Sequence, residues 1–259
     1  MKKIKLLLIE KSEYNDQILQ EVVATNFPEV EIIGSVKSMQ SALIWIEKQS
    51  PHILLLDFDL PEDDITLLIH LSRKKGFRIV FLSSLSDRLI EALKFSFVDF
   101  AFKPIDITDL IVAIDDAIAS LDDNFYHIKV GTLAANLNST GEIDRLVVQG
   151  REKTKVVPIF DIIEARSVDG GSYFCFSGRQ GMFSPVPLRR YEAILRSHGF
   201  IRCNSKTLIN AAKVHHIDED HGVLYMENGR SEKFESRKTV AIKQMVNDHS
   251  FKNIKKLHA

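Results

Sequence analysis

Cysteine is nearly absent: Cys175 and Cys203 are the only two in 259 residues. Two thiols are too few for a disulfide framework, and their spacing is not that of a metal site, so they read as core thiols. No apolar run approaches the roughly 20 residues of a membrane-spanning helix. The opening "MKKIKLLLIEKSE" sets lysines before leucines, as a signal peptide does. Its apolar core covers only residues 6–9 before charge returns, so no export signal is read and a cytoplasmic chain is expected. There is no repeat, no low-complexity tract, no nucleotide-binding glycine loop, no nucleophile elbow and no cluster of metal ligands. Even the adjacent His215 and His216 would face opposite sides of a strand. An enzyme is therefore not expected.

A near-zero net charge of −1 conceals an imbalance. Residues 145–259 hold 20 Lys+Arg against 12 Asp+Glu, a net of +8, and residues 1–144 hold 14 against 23, a net of −9. An acidic half joined to a basic half suggests regulation on one side and a polyanion partner on the other.

The acidic half alternates short apolar runs with helical patterns. "IKLLLI" (4–9), "VEIIGS" (30–35), "HILLLD" (52–57), "FRIVFLS" (77–83) and "VDFAF" (98–102) read as strands buried on both faces. Helical spacing lies between them, with Trp45 on the core face of the second helix. A fifth helix follows the last strand, with Asp106 and Thr108 as capping groups. Five βα units in 121 residues predict a doubly wound α/β fold with a five-stranded parallel sheet. Residues 122–144 mix Asn, Asp, Ser, Thr and Gly with weak periodicity and read as a linker, with room for a strand or helix of its own. From residue 145 the chain turns to short strand-like runs broken by Gly, Asn and Pro, with short helices at 188–197 and 237–248. "MENGR" carries Asn-Gly, a hairpin signal. This half reads as mostly β.

Ligands of an open parallel sheet bind at the carboxyl ends of its strands. The first strand is followed by Glu10, the third ends in Asp57, the fourth in Ser83, and the fifth is followed by Lys103 and Pro104. With strand order 2-1-3-4-5 these four ends are neighbours. The set suits phosphoryl transfer to a carboxylate. Asp57 would be the nucleophile, Ser83 a hydrogen-bond donor to a phosphoryl oxygen, and Lys103 its countercharge. A carboxylate approaching an anionic donor also calls for a divalent cation such as Mg²⁺, held by Glu10 and Asp57.

At these residues the chain resembles the receiver domain of two-component response regulators. "LLLDFDLP" is similar to the phosphoacceptor strand and loop, "FLSS" to the hydroxyl strand and "FKPID" to the Lys-Pro turn. The resemblance implies a receiver at 1–121 and phosphorylation of Asp57 by a sensor histidine kinase. It also implies a switch at Ser83 and Phe100, a cis Lys103-Pro104 bond, and the Asp59 carbonyl as a further Mg²⁺ ligand. Residues 86–121 would form a homodimer face. One position departs from the family, whose first strand ends in two acids: here Lys11 follows Glu10, and a charged ammonium offers no lone pair to a metal. Mg²⁺ should then bind weakly. Either Lys11 sits near Asp57 and takes the place of the cation, or it points to solvent and simply weakens the site.

The basic half resembles the LytTR-type DNA-binding domain over about 145–250, carried by "PIFDI" before an acid, "GFIR", "LIN" and the late "SR". The implied partner is double-stranded DNA, contacted by loops in successive major grooves. Carried over, the contacts are Tyr173 beside Ser172, then Asn204, Ser205 and Lys206, then Ser236, Arg237 and Lys238. Arg237 is the candidate guanine reader. Arg189 and Arg190 are either phosphate contacts or a solvated helix face. The family usually has His-Arg-Ser where this chain has Asn204-Ser205-Lys206, which implies a different sequence preference. Asn210 reads as a buried backbone partner. The expected protein is a transcription regulator switched at Asp57. The alternatives are a phosphorylation-independent receiver serving dimerisation with constitutive DNA binding, and a signalling adaptor whose basic half binds protein.

Overall fold

The computed structural model describes residues 3–57, 61–83, 87–139 and 143–257, with no account of the side chains of 57, 62, 83, 87–89 and 249–257. Asp59 lies outside the described residues. The chain divides into two compact units, residues 1–143 and 144–259.

The first unit runs β1 (Ile4–Ile9), α1 (Glu13–Asn26), β2 (Val30–Val36), α2 (Met39–Gln49), β3 (Ile53–Asp57), α3 (Glu62–Lys75), β4 (Arg78–Ser83), α4 (Asp87–Ser96), β5 (Phe100–Phe102), α5 (Ile107–Ala119) and α6 (Tyr126–Leu137). The strands form one sheet in the order β2-β1-β3-β4-β5, and every pairing is parallel. The central strands are apolar throughout because both of their faces are covered. Leu6, Leu7, Leu8, Ile53, Leu54, Leu55 and Leu56 are all sealed from solvent. Ser12, Ser38 and Asp106 cap α1, α2 and α5 through their side-chain oxygens. Trp45 is half-buried and lies over Gly34; a Cβ at Gly34 would sit 3.0 Å from the indole ring.

The expected linker contains α6, which packs against α3 and α4, so the first compact unit extends to residue 143. Tyr126, Val130 and Leu133 are buried at helical spacing, and Thr132 and Asn136 extend the buried face. Arg78 ties the preceding turn down. Its guanidinium donates to the carbonyls of Gly76, Ser120, Leu121 and Asp123 and stacks 4.2 Å from the centre of the Tyr126 ring. The Tyr126 hydroxyl accepts from the Ile79 amide at 2.8 Å. Gly131 and the small or polar residues around this buried face diluted the periodicity in the sequence.

The second unit comprises β6 (Arg145–Val148), β7 (Lys155–Pro158), β8 (Ile162–Val168), β9 (Gly171–Phe176), β10 (Arg179–Ser184), α7 (Leu188–Leu195), β11 (Phe200–Arg202), β12 (Thr207–Asn210), β13 (Val214–Asp218), β14 (Val223–Met226), β15 (Ser231–Lys233) and α8 (Thr239–Leu257). Its main sheet has the order β10-β9-β8-β12-β11, beside a three-stranded sheet β13-β14-β15 and the pair β6-β7. Asn228-Gly229 forms the β14–β15 turn, with Gly229 at φ +77° where an L side chain would be strained. Cys203, Ile163, Ile209, Leu224, Met226, Phe234 and Ile242 form a shared apolar core. β11 and β12 are only three and four residues long, too short to show a period in the sequence.

Candidate functional site

The sheet places four expected residues at one end of the first unit. β3 lies between β1 and β4, and β5 follows β4. Leu56 is level with Ile9, Asp57 with Leu82, and Ser83 with Phe102. The side chains of Asp57 and Ser83 lie outside the described residues. Phe100 is half-buried and makes an edge contact with Phe102, ring centres 5.2 Å apart. The Lys103-Pro104 peptide is cis.

Glu10 is 1% exposed, and its Oε2 lies 2.9 Å from the Lys103 ammonium in an ion pair outside hydrogen-bond alignment. Its Oε1 accepts the Ser12 amide at 2.9 Å. The acid expected to hold a cation is thus already engaged through both oxygens. Lys11 is exposed where the family carries its second acid. Among the described residues, no group of three or more His, Cys, Asp or Glu could hold a metal ion. Of the residues expected to hold Mg²⁺, Glu10 is described, with Lys103 on one of its oxygens; the Asp57 side chain and Asp59 lie outside the described residues, and Lys11 stands where the family has a second acid.

In the second unit three segments meet. The Ser167 amide at the end of β8 donates to the Lys206 carbonyl at 2.7 Å. The Glu235 amide donates to the Cys203 carbonyl at 3.0 Å, and the Lys238 ammonium to the Arg202 carbonyl at 2.8 Å. Asn204 closes the arrangement. Its Nδ2 donates to the Lys233 carbonyl at 2.7 Å, and its Oδ1 accepts the amides of Lys206 and Thr207, each at 2.9 Å. Asn204 and Lys238, both expected to contact DNA, are tied by these bonds to neighbouring loops. An Asn heading a Ser-Lys-Thr segment is a recognisable turn signal, and its side chain accepts the amides that close that turn.

Ser205, Lys206, Ser236 and Arg237 are exposed on the same loops. Arg237 pairs with Glu235 at 2.7 Å, and the Glu235 carboxyl is held below its ordinary range chiefly by that bond. Tyr173 is half-buried, packed so closely on Gly181 that a Cβ there would strike its hydroxyl. The neighbouring Ser172 is buried and donates to the Val186 carbonyl at 2.7 Å. Arg189 and Arg190 are exposed on the first turn of α7.

Beneath the loops lies a buried charge network. Glu164, sealed from solvent, is paired with Arg166 at 2.9 Å and with Arg230 at 3.2 Å. Arg166 also bridges to Glu232, which accepts the Thr207 hydroxyl at 3.1 Å. The network joins β8 to β15 and so fixes two loop-bearing strands together. Cys175 and Cys203 are buried free thiols, pushed up to about 11 and about 12, first by burial. Asn210 donates to the Ile162 carbonyl and accepts the Ala212 amide, as expected of a buried backbone partner.

Comparison with known proteins agrees with this division. Residues 6–115 match the response regulator receiver domain, and residues 152–247 match the LytTr DNA-binding domain. Curated relatives include a protein-glutamate methylesterase/protein-glutamine glutaminase of Hydrogenovibrio crunogenus, 33% identical over 40% of this chain and 29% of its own. A second of the same description, from Saccharophagus degradans, is 24% identical over 88% of this chain and 68% of its own. The chain spans about a third of the length of most of the curated relatives it matches. Similar solved structures include the LytTr domain of a methyl-accepting/DNA response regulator from Bacillus cereus, with 18% identity, 40% and 96% of the two chains covered, and TM-score 0.35. The response regulatory domain of protein mrkE from Klebsiella pneumoniae gives 20% identity, 46% and 99% coverage, and TM-score 0.40. The chain belongs to the response regulators that join a receiver domain to a LytTR DNA-binding domain.

Proposed function

We propose that this DNA-binding response regulator controls transcription by gripping duplex DNA with the loops at 167–171, 203–206 and 235–238, under the control of Asp57. The observation that supports it best is the joining of these three segments by the Ser167, Asn204, Glu235 and Lys238 bonds, with Lys206 and Arg237 left exposed on them. Lys206 serves as a phosphate contact and Arg237 as a base reader, while Asn204 and Lys238 keep the loops in register. The protein acts in the cytoplasm and binds paired half-sites as a homodimer.

At the receiver, the Asp57 carboxylate takes the phosphoryl group from a phosphohistidine of a sensor kinase. The P–N bond breaks, imidazole leaves, and an acyl phosphate forms on Asp57. A divalent cation such as Mg²⁺ would be held by Glu10 and Asp57 and would screen the charge of the incoming phosphoryl group; Lys11 occupies the second acidic position. Lys103 and Lys11 supply the positive charge near the strand ends. No further enzymatic reaction is assigned: where the methylesterase relatives are enzymes by description, residues 152–247 here match a DNA-binding family.

The Lys11 substitution and the buried Glu10–Lys103 pair favour one second reading, a receiver that works without phosphate and serves only to dimerise. One experiment separates the two. The full chain is titrated onto duplex DNA over a salt series, with and without a small phosphodonor, and its intact mass is measured beside an Asp57→Asn control. An adduct that vanishes in the control and shifts DNA affinity supports switching. Salt-dependent binding indifferent to phosphodonor supports the second reading. No salt-dependent duplex binding at all would overturn both and point to a protein-binding adaptor.

A further inference from the structure

Arg237 does not stand alone on its loop. Its side chain is 80% exposed, yet Oε2 of Glu235 takes both its Nε and its Nη2, each at 2.7 Å. Glu235 itself is anchored. Its amide donates to the carbonyl of the fully buried Cys203 at 3.0 Å, and its carbonyl accepts the Lys238 amide at 2.8 Å. The Lys238 ammonium, fixed on the Arg202 carbonyl, lies 3.8 Å from the same carboxylate oxygen. A carboxylate on fixed backbone therefore grips a guanidinium on an exposed loop.

A guanidinium has five N–H groups in a plane. With Nε–H and one Nη2–H held, the fork formed by Nη1 and the second Nη2–H remains open, facing away from Glu235. Two parallel donors are what the O6 and N7 of guanine require. An acid this close to a DNA surface also repels phosphate, which weakens sequence-independent binding.

We propose that Glu235 is a specificity-determining positioning residue: it holds Arg237 side-on so that its free fork meets guanine end-on, and its charge suppresses binding to other sequences. The inference rests on the reading of Arg237 as a base contact. It gives Glu235→Gln two effects of opposite sign, looser discrimination and tighter non-specific binding. Glu235→Asp separates them, because it withdraws the carboxylate by one methylene but keeps the charge.

The test uses the full chain and a randomised duplex pool. Wild type, Glu235→Gln, Glu235→Asp and Arg237→Ala each select sequences, and affinities are then measured for the wild-type-selected duplex and for a scrambled one across a potassium chloride series. The expected wild-type pool is enriched in guanine at a position that Arg237→Ala leaves random. Glu235→Gln should lower the ratio of selected to scrambled affinity about 3- to 10-fold while tightening the scrambled complex. Glu235→Asp should lower the ratio and leave the scrambled complex unchanged. An unchanged guanine frequency and ratio in both Glu235 variants would overturn the proposal. So would equal tightening on both duplexes, which would make Glu235 a mere mask over Arg237. If Arg237→Ala changes no base frequency, the base-reading role itself is wrong and this inference falls with it.

Discussion

The carboxylate of Glu10 and the ammonium of Lys103 meet at 2.9 Å, with the side chains 1% and 11% exposed. They join the end of the first strand to the turn after the fifth, across a sheet in which β3 and β4 separate β1 from β5. Removing one partner from such a pair leaves the other charge buried. Lys103→Met is expected to destabilise the receiver by about 3 kcal/mol, and the Glu10→Gln/Lys103→Met double variant by clearly less, because it strands no charge. Urea unfolding of the four proteins of this cycle measures it. Lys103→Met melting within experimental error of wild type would show that the pair is not held in solution.

Lys11 gives a second expectation. Replacing it by aspartate restores a carboxylate at the position of the family's second acid. Lys11→Asp should bind Mg²⁺ measurably in a calorimetric titration, and wild type should bind at least about tenfold more weakly, since an added carboxylate ligand and a removed cation act in the same direction. Equal heats from both proteins would remove Lys11 as the reason for the poor metal site.

The Tyr126 hydroxyl is buried against the Ile79 amide, and the ring lies under Arg78. Tyr126→Phe leaves that amide unpaired and should cost about 1 kcal/mol; Tyr126→Ala opens a cavity and should cost about 3–5 kcal/mol. Deleting residues 122–143 would then destabilise the receiver, as no flexible linker would. Thermal melts of the variants decide whether α6 belongs to the domain.

These cases show what the sequence could carry. The parallel sheet was legible because β1, β3 and β4 are continuous apolar runs, and strand ends follow from strand order. The acid-base proximity at Glu10 was visible as composition, yet the pairing with Lys103 was not, because 93 residues separate them. The bracing role of Asn204 was hidden for a related reason: its partners Lys206 and Thr207 are local, but the third, Lys233, comes from a strand distant in sequence. The segment of α6 was left open between strand and helix because its buried face mixes Tyr, Thr and Asn with its aliphatics.

The buried thiols yield a pH prediction. Burial raises Cys175 from its ordinary 9 to about 11 and Cys203 to about 12. The unfolded chain ionises these thiols near pH 9 while the folded chain keeps its protons. Folding stability from this source is therefore whole below pH 9 and falls as pH rises toward 11–12. At pH 8 neither thiol should react with iodoacetamide until the protein is unfolded, which intact mass reads directly. Rapid labelling of the native chain would contradict the burial of both.

The loops proposed to grip DNA allow Asn204 and Lys206 to be told apart. Lys206 is exposed and its ammonium is assigned to phosphate, so Lys206→Ala should weaken binding to all duplexes alike. It should also reduce the slope of log affinity against log salt by roughly 0.9, the share of one phosphate contact. Asn204 holds three backbone groups on two segments. Asn204→Ala should lower the melting midpoint of the second unit, equivalent to roughly 1–3 kcal/mol, and leave the salt slope unchanged. An Asn204→Ala protein of wild-type stability that has lost preference at one base pair would return Asn204 to the role of a base reader and make the brace a property of the unbound loops alone.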